Sequence, residues 1–164
     1  MNPVPTGRLV TTADGLDLVL ERTFRAPIQD VWESVTVSES TARWFGRWEG
    51  DAGPGKTIRV QMLFEKGEPW TEARINACEP PRRLAWTTLG FVCELELNLV
   101  AEGDTTRLTL TQHKVDPKWA GDMGPGWEYY LDNLVAARAG QPLPKFDDYY
   151  PSQQQHYVDQ MPAR

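Results

Sequence analysis

Residues 50–57, Gly-Asp-Ala-Gly-Pro-Gly-Lys-Thr, satisfy the phosphate-loop spacing GxxxxGK[ST]. That chemistry needs a helix immediately after the loop, because the first amides of the helix hold the phosphates. Here Lys56 and Thr57 are followed by Ile58, Arg59, Val60, Gln61 and Met62, a β-branched alternating run that predicts a strand. The segment is therefore expected to be a Gly/Pro turn between strands. Metal chemistry needs several converging ligands, and the chain holds 2 His and 2 Cys. His113 and His156 fall on a strand and in the tail, and Cys78 and Cys93 on different strands without a CxxC spacing, which predicts free thiols and no metal site. No GxSxG is present, and neither cysteine has a histidine at readable spacing, so no catalytic residue and no cofactor is assigned. Glu72, Arg74 and His113 are the titratable groups that would matter if the protein were an enzyme.

The remaining chemical signal is aromatic. Of the 7 Trp, Trp44, Trp48, Trp70, Trp86, Trp119 and Trp127, with Phe45, are expected near the interface of two layers. Large rings bury much area and leave slots between them, which suits an apolar cavity.

The elements that would hold these rings follow from periodicity. Residues 16–24 alternate as a first strand, and Pro27 starts a helix carrying Ile28, Val31, Trp32 and Val35 at helical spacing. A second short helix is expected from a Ser38 cap to Trp44 and Phe45, ended by Gly46. Period-two patterns follow near 47–51, 57–65, 70–77, 84–88, 92–100 and 106–114. Turns as short as Glu65-Lys66-Gly67-Glu68 and Ala101-Glu102-Gly103-Asp104 require antiparallel neighbours. A last helix over 122–139, with Pro125 near its first position, presents Met123, Trp127, Tyr130, Leu131, Leu134 and Arg138 on one stripe before Gly140. The tail after 140 is polar, with a short helix expected near 152–160 and with Tyr149, Tyr150 and Tyr157 available as a contact face.

Composition bounds the partners. The 17 Lys and Arg are scattered among 23 Asp and Glu, a net charge of -6, which disfavours nucleic acid. There is no apolar run of about 18 residues and no leader-like start, so a cytoplasmic protein without a membrane partner is expected. Monomer and homodimer both stay open.

The order strand, two short helices, meander, long helix resembles the START-like helix-grip (SRPBCC) fold. The wording narrows it: Arg22-Thr-Phe24-Arg-Ala26-Pro27 with Val31-Trp32, Trp44-Phe45, Cys78-Glu-Pro80-Pro81-Arg-Arg-Leu84-Ala-Trp86, residues 105–113, and Gly126-Trp127-Glu-Tyr-Tyr-Leu131 resemble the Hsp90-ATPase-activator-like family over about residues 16–140. The resemblance implies an α+β fold, an antiparallel sheet of about six to seven strands wrapped around a long C-terminal helix, with an apolar pocket between them. It divides the chain into an extension over 1–15, a domain over 16–140 and a surface-packed tail over 141–164. The implied partner is a hydrophobic or aromatic small molecule held by Trp44, Phe45, Met62, Phe64, Trp86, Leu97, Leu110, Gln112, Trp127 and Leu131. Met62 and Phe64 are placed inward on the strand 57–65; inverted, that strand would instead offer Arg59 and Gln61. The resemblance also implies two alternatives, a module stimulating an Hsp90-type chaperone and a polyketide-cyclase-like enzyme.

Overall fold

Alternation of apolar and polar side chains builds most of this molecule. The computed structural model describes residues 2–162. It opens with a hairpin, β1 (Arg8–Thr12) and β2 (Gly15–Phe24), followed by α1 (Ile28–Thr36) and α2 (Ser38–Thr41). A meander comes next: β3 (Arg47–Glu49), β4 (Thr57–Gln61), β5 (Trp70–Glu79), β6 (Arg83–Thr88), β7 (Cys93–Glu102) and β8 (Thr105–His113). The chain ends with the long helix α3 (Ala120–Ala139) and the short α4 (Gln154–Val158).

The strands form one antiparallel sheet in the order β1-β2-β8-β7-β6-β5-β4-β3. The first long strand thus pairs with the last, Leu20 opposite Leu110, while α1 and α2 carry the chain to the opposite edge. Leu18, Leu20, Leu95, Leu97, Leu108 and Leu110 are buried on the inner face, and α3 covers that face with Leu131 and Leu134. This is the expected α+β helix-grip arrangement, with eight strands instead of six to seven. The extra strand, β1, lies in the stretch read as an extension. As an edge strand it buries almost nothing, so its sequence carries no alternation to find.

Other boundaries moved as well. The strand expected over 57–65 stops at Gln61, because Met62 N–H donates to Pro69 O and the chain turns. Residues 50–57 form the turn into β4, a strand with no helix behind it, and Lys56 pairs with exposed Asp51 at 2.6 Å. The second helix closes after Thr41 and continues only as turns to Phe45. Pro125 lies inside α3, not at its start: Asp116 caps a 3-10 turn, Pro117–Trp119, that runs directly into Ala120.

The tail is packed in, not free. Tyr149 and Tyr157 are buried, which removes them from any contact face. The Tyr157 ring fits against Gly124, where a Cβ would come within 2.3 Å of it. The tail also grips the start of the chain: Gly7 O lies 2.8 Å from His156 Nε2 and accepts from Gln160 Nε2 at 3.1 Å, and Leu9 N–H donates to Gln160 Oε1 at 2.9 Å.

Candidate functional site

Between the inner face of the sheet and α3 lie two adjoining chambers, about 660 Å³ and about 140 Å³. Phe45, Val60, Ala73, Trp86 and Trp127 line both and form their common wall. Each is there for a local reason. Phe45 ends the turns after α2, Val60 and Ala73 are inward positions of β4 and β5, Trp86 is inward on β6, and Trp127 lies on the sheet-facing stripe of α3. Phe45 stacks on Trp127 with centroids 5.8 Å apart and planes at 13°, and Tyr130 meets Phe45 edge-on at 4.9 Å. Ala73 is the small residue among these large ones, and its missing volume helps keep the chambers open.

All ten residues predicted for a ligand site line this space. Met62, Phe64 and Gln112 border the larger chamber, Trp44, Leu97, Leu110 and Leu131 the smaller, and Phe45, Trp86 and Trp127 both. Met62 and Phe64 reach it from the turn after β4, not from a strand. Arg59 and Gln61 point to the outer face, where Arg59 pairs with Glu49 and Arg47 with Gln61. Trp70 is also outside, with the Arg59 guanidinium 4.5 Å from its ring centroid, and Trp119 is 41% exposed. Both leave the predicted layer interface. The strand parity that puts Ala73 and Ile75 inside sends Glu72 and Arg74 out.

His113 likewise faces away from the chambers. It bridges Asp17 Oδ2 at 3.0 Å and Glu96 Oε1 at 2.9 Å across β2, β8 and β7. Partial burial pulls its pKa down, but the hydrogen bonds it donates to Glu96 and Asp17 outweigh that and hold it above the ordinary imidazole value. Partial burial also opposes ionisation of Glu96, yet Arg83 and His113 bring its carboxyl below the usual range.

Sequence reasoning missed several lining groups. Cys93 borders the larger chamber, and burial pushes its thiol pKa up. Glu65, Lys66, Phe91 and Phe146 mark the exposed end. Tyr130 donates its hydroxyl to Glu65 Oε2 at 2.8 Å, tying the β4–β5 turn to α3. Burial first, then the Glu65 charge, raises the Tyr130 pKa well above the normal phenol range. Phe146 comes from the tail and meets Tyr129 edge-on at 5.5 Å. Nothing local in the sequence announces it. Among the described residues no cluster of three or more His, Cys, Asp and Glu is placed to hold a metal, and no helix is long and apolar enough to cross a membrane.

Residues 25–139 match the family described as Activator of Hsp90 ATPase homolog 1-like protein. No curated protein matches the chain. Among solved structures it is similar to the crystal structure of CalU16 from Micromonospora echinospora, at 25% identity over 96% of each chain with a TM-score of 0.76. It is also similar to the solution structure of the BPP1335 protein from Bordetella parapertussis, at 26% identity over 98% of this chain and 95% of that one, TM-score 0.75. The shorter BH1534 protein of Bacillus halodurans shares the fold, with a TM-score of 0.63 at 23% identity over 74% of this chain and 95% of its own. Because the family match runs from Arg25, just after β2, to Ala139, the last residue of α3, the chain belongs to the Activator of Hsp90 ATPase homolog 1-like family, within the START-like helix-grip superfamily.

Proposed function

We propose that this protein binds a ring-containing apolar small molecule between its sheet and α3. The observation that carries the reading is the chamber of about 660 Å³ walled by Phe45, Trp86 and Trp127, a volume in the range of ordinary ligand sites. Burying about 200 Å² of apolar ligand surface there is worth roughly 5 kcal/mol at about 25 cal/mol per Å², before the costs of association. That corresponds to sub-millimolar affinity at best, and only if the walls are already in place. They are: Trp44 and Trp48 donate their indole N–H groups to Ser34 O and Thr36 O, and the Phe45–Trp127 stack fixes the partition.

The test is a filling experiment. N-phenyl-1-naphthylamine, whose emission rises in apolar surroundings, is titrated into the purified chain and into Ala73→Ile. In a packed core the added carbons would cost about 1–3 kcal/mol. In an open chamber they occupy space, so the variant should keep its Tm and lose most of the dye binding. A wild-type chain that leaves the dye dark, or an Ala73→Ile chain that binds it unchanged, removes the proposal.

A further inference from the structure

The larger chamber is lined mainly by hydrocarbon and rings; its polar groups include half-buried Thr71, Thr88 and Asp122, and the one amide side chain among them, Gln112, is buried. On β8 the buried inward series Leu108, Leu110 continues not with another leucine but with Gln112, 4% exposed. Trp127 Nε1 donates to Gln112 Oε1 at 2.9 Å, and Gln112 Nε2 donates to Cys93 Sγ at 3.4 Å. An indole N–H can only donate, so Trp127 decides which end of the carboxamide is oxygen and leaves the NH2 group on the other side. That group has two N–H bonds. One is spent on a thiol sulfur, a weak acceptor, and the second meets no acceptor among the described residues.

We propose that this second N–H is the anchor for a neutral carbonyl oxygen, so that the ligand class is an aryl ketone or quinone whose rings lie against Phe45, Trp86 and Trp127. The inference rests on the cavity being a ligand site and adds the chemistry of its ligand. A pure hydrocarbon filling the chamber would displace water from the N–H and leave it unpaired, which is worth about tenfold in affinity. A carboxylate would exchange its hydration for one neutral N–H and a thiol. Lys66 is the basic residue of the lining, and it stands at the exposed end. A neutral acceptor is the group that gains from this wall. Trp127 is a positioning residue in this scheme: its indole holds the carboxamide oriented.

The experiment uses two probes of one ring system, 2-acetonaphthone and 2-ethylnaphthalene, each displacing N-phenyl-1-naphthylamine from the full chain and from Gln112→Leu. Comparing the ketone-to-hydrocarbon affinity ratio between the two proteins cancels the difference in water solubility. The ratio should fall about tenfold in Gln112→Leu, with the hydrocarbon bound at least as well as before. An unchanged ratio, with dye and hydrocarbon still binding, overturns the Gln112 assignment alone. Failure of the dye to bind wild type overturns the cavity reading and this inference with it. Should Gln112→Leu not fold, the wild-type Gln112 side-chain amide proton carries the decision by NMR. It should move downfield with the ketone and stay with the hydrocarbon, and equal response to both sinks the assignment.

Discussion

Gly124 and Gly126 stand two positions apart on α3 and meet opposite surroundings. A Cβ on Gly124 would lie 2.3 Å from the Tyr157 ring, whereas one on Gly126 would meet nothing within 4 Å. Alanine at 126 should raise stability by about 0.5–1 kcal/mol through helix propensity. At 124 the same propensity gain is outweighed by overpacking, for a net loss of about 1–3 kcal/mol, and urea unfolding of the two variants reads the difference. His113 supports a second prediction, with a sign fixed by its neighbours. Asp17 and Glu96 hold its nitrogens, Arg83 holds Glu96, and Glu94 and Lys114 flank it. Its raised pKa gives stability that is fully present below the unfolded imidazole value of about 6.5 and is lost as pH rises through the folded value. Glu96, lowered, contributes above about pH 4.3 and loses its contribution in more acid solution. The Tm difference between wild type and His113→Gln should therefore be largest near pH 5–6 and shrink toward alkaline pH. A difference that stays flat across that range would remove the triad from the pH dependence. Residue types alone marked His113 as a strand histidine. Its Asp17 partner is not deducible from spacing, because Asp17 belongs to a strand that becomes a neighbour only through the β2–β8 pairing.

At the scale of elements, α3 is buried on two sides, and only one was readable. The stripe Trp127, Leu131 and Leu134 faces the sheet and repeats with helical period, so it could be found. The other side carries Gly124, Glu128 and Asp132, which reads as a wet face but is covered by the tail and by the start of the chain. Glu128 is 1% exposed, accepts from Thr6 N and Oγ1 at 2.7 and 2.6 Å, and pairs with Arg22 of β2 at 3.4 Å. Arg22 also holds Asp132 at 3.0 Å, and Tyr149 donates to the other oxygen of Asp132 at 2.6 Å. Burial, then the hydrogen bond to Asp132, drives the Tyr149 pKa above its normal range. A buried carboxylate stripped of its cation is costly, so Arg22→Met should lose about 3–5 kcal/mol in chemical denaturation. Adding Glu128→Gln should recover part of that loss, because the stranded charge goes with it. An additive double variant would mean that the two side chains do not depend on each other.

For the molecule as a whole, the sheet and the chamber walls were legible for one physical reason, that burial on one face imposes a period. Leu95 and Leu97 opposite Gln112 and Leu110 needed no coordinates to be assigned inward. Met62, Phe64 and Phe146 line the chamber from turns, where no period operates, and only the first two were anticipated. The clasp between the chain ends was invisible because its partners, Gly7 with His156 and Gln160, are about 150 positions apart. That distance constrains how the protein is made. While a ribosome is still adding the last residues, the meander can already pair locally, but Gly7 and Leu9 have no Gln160 to receive them. Synthesis from the amino end therefore leaves this lock until residues 156–160 have emerged, and a nascent chain halted before α4 should carry an intact sheet with a frayed first strand.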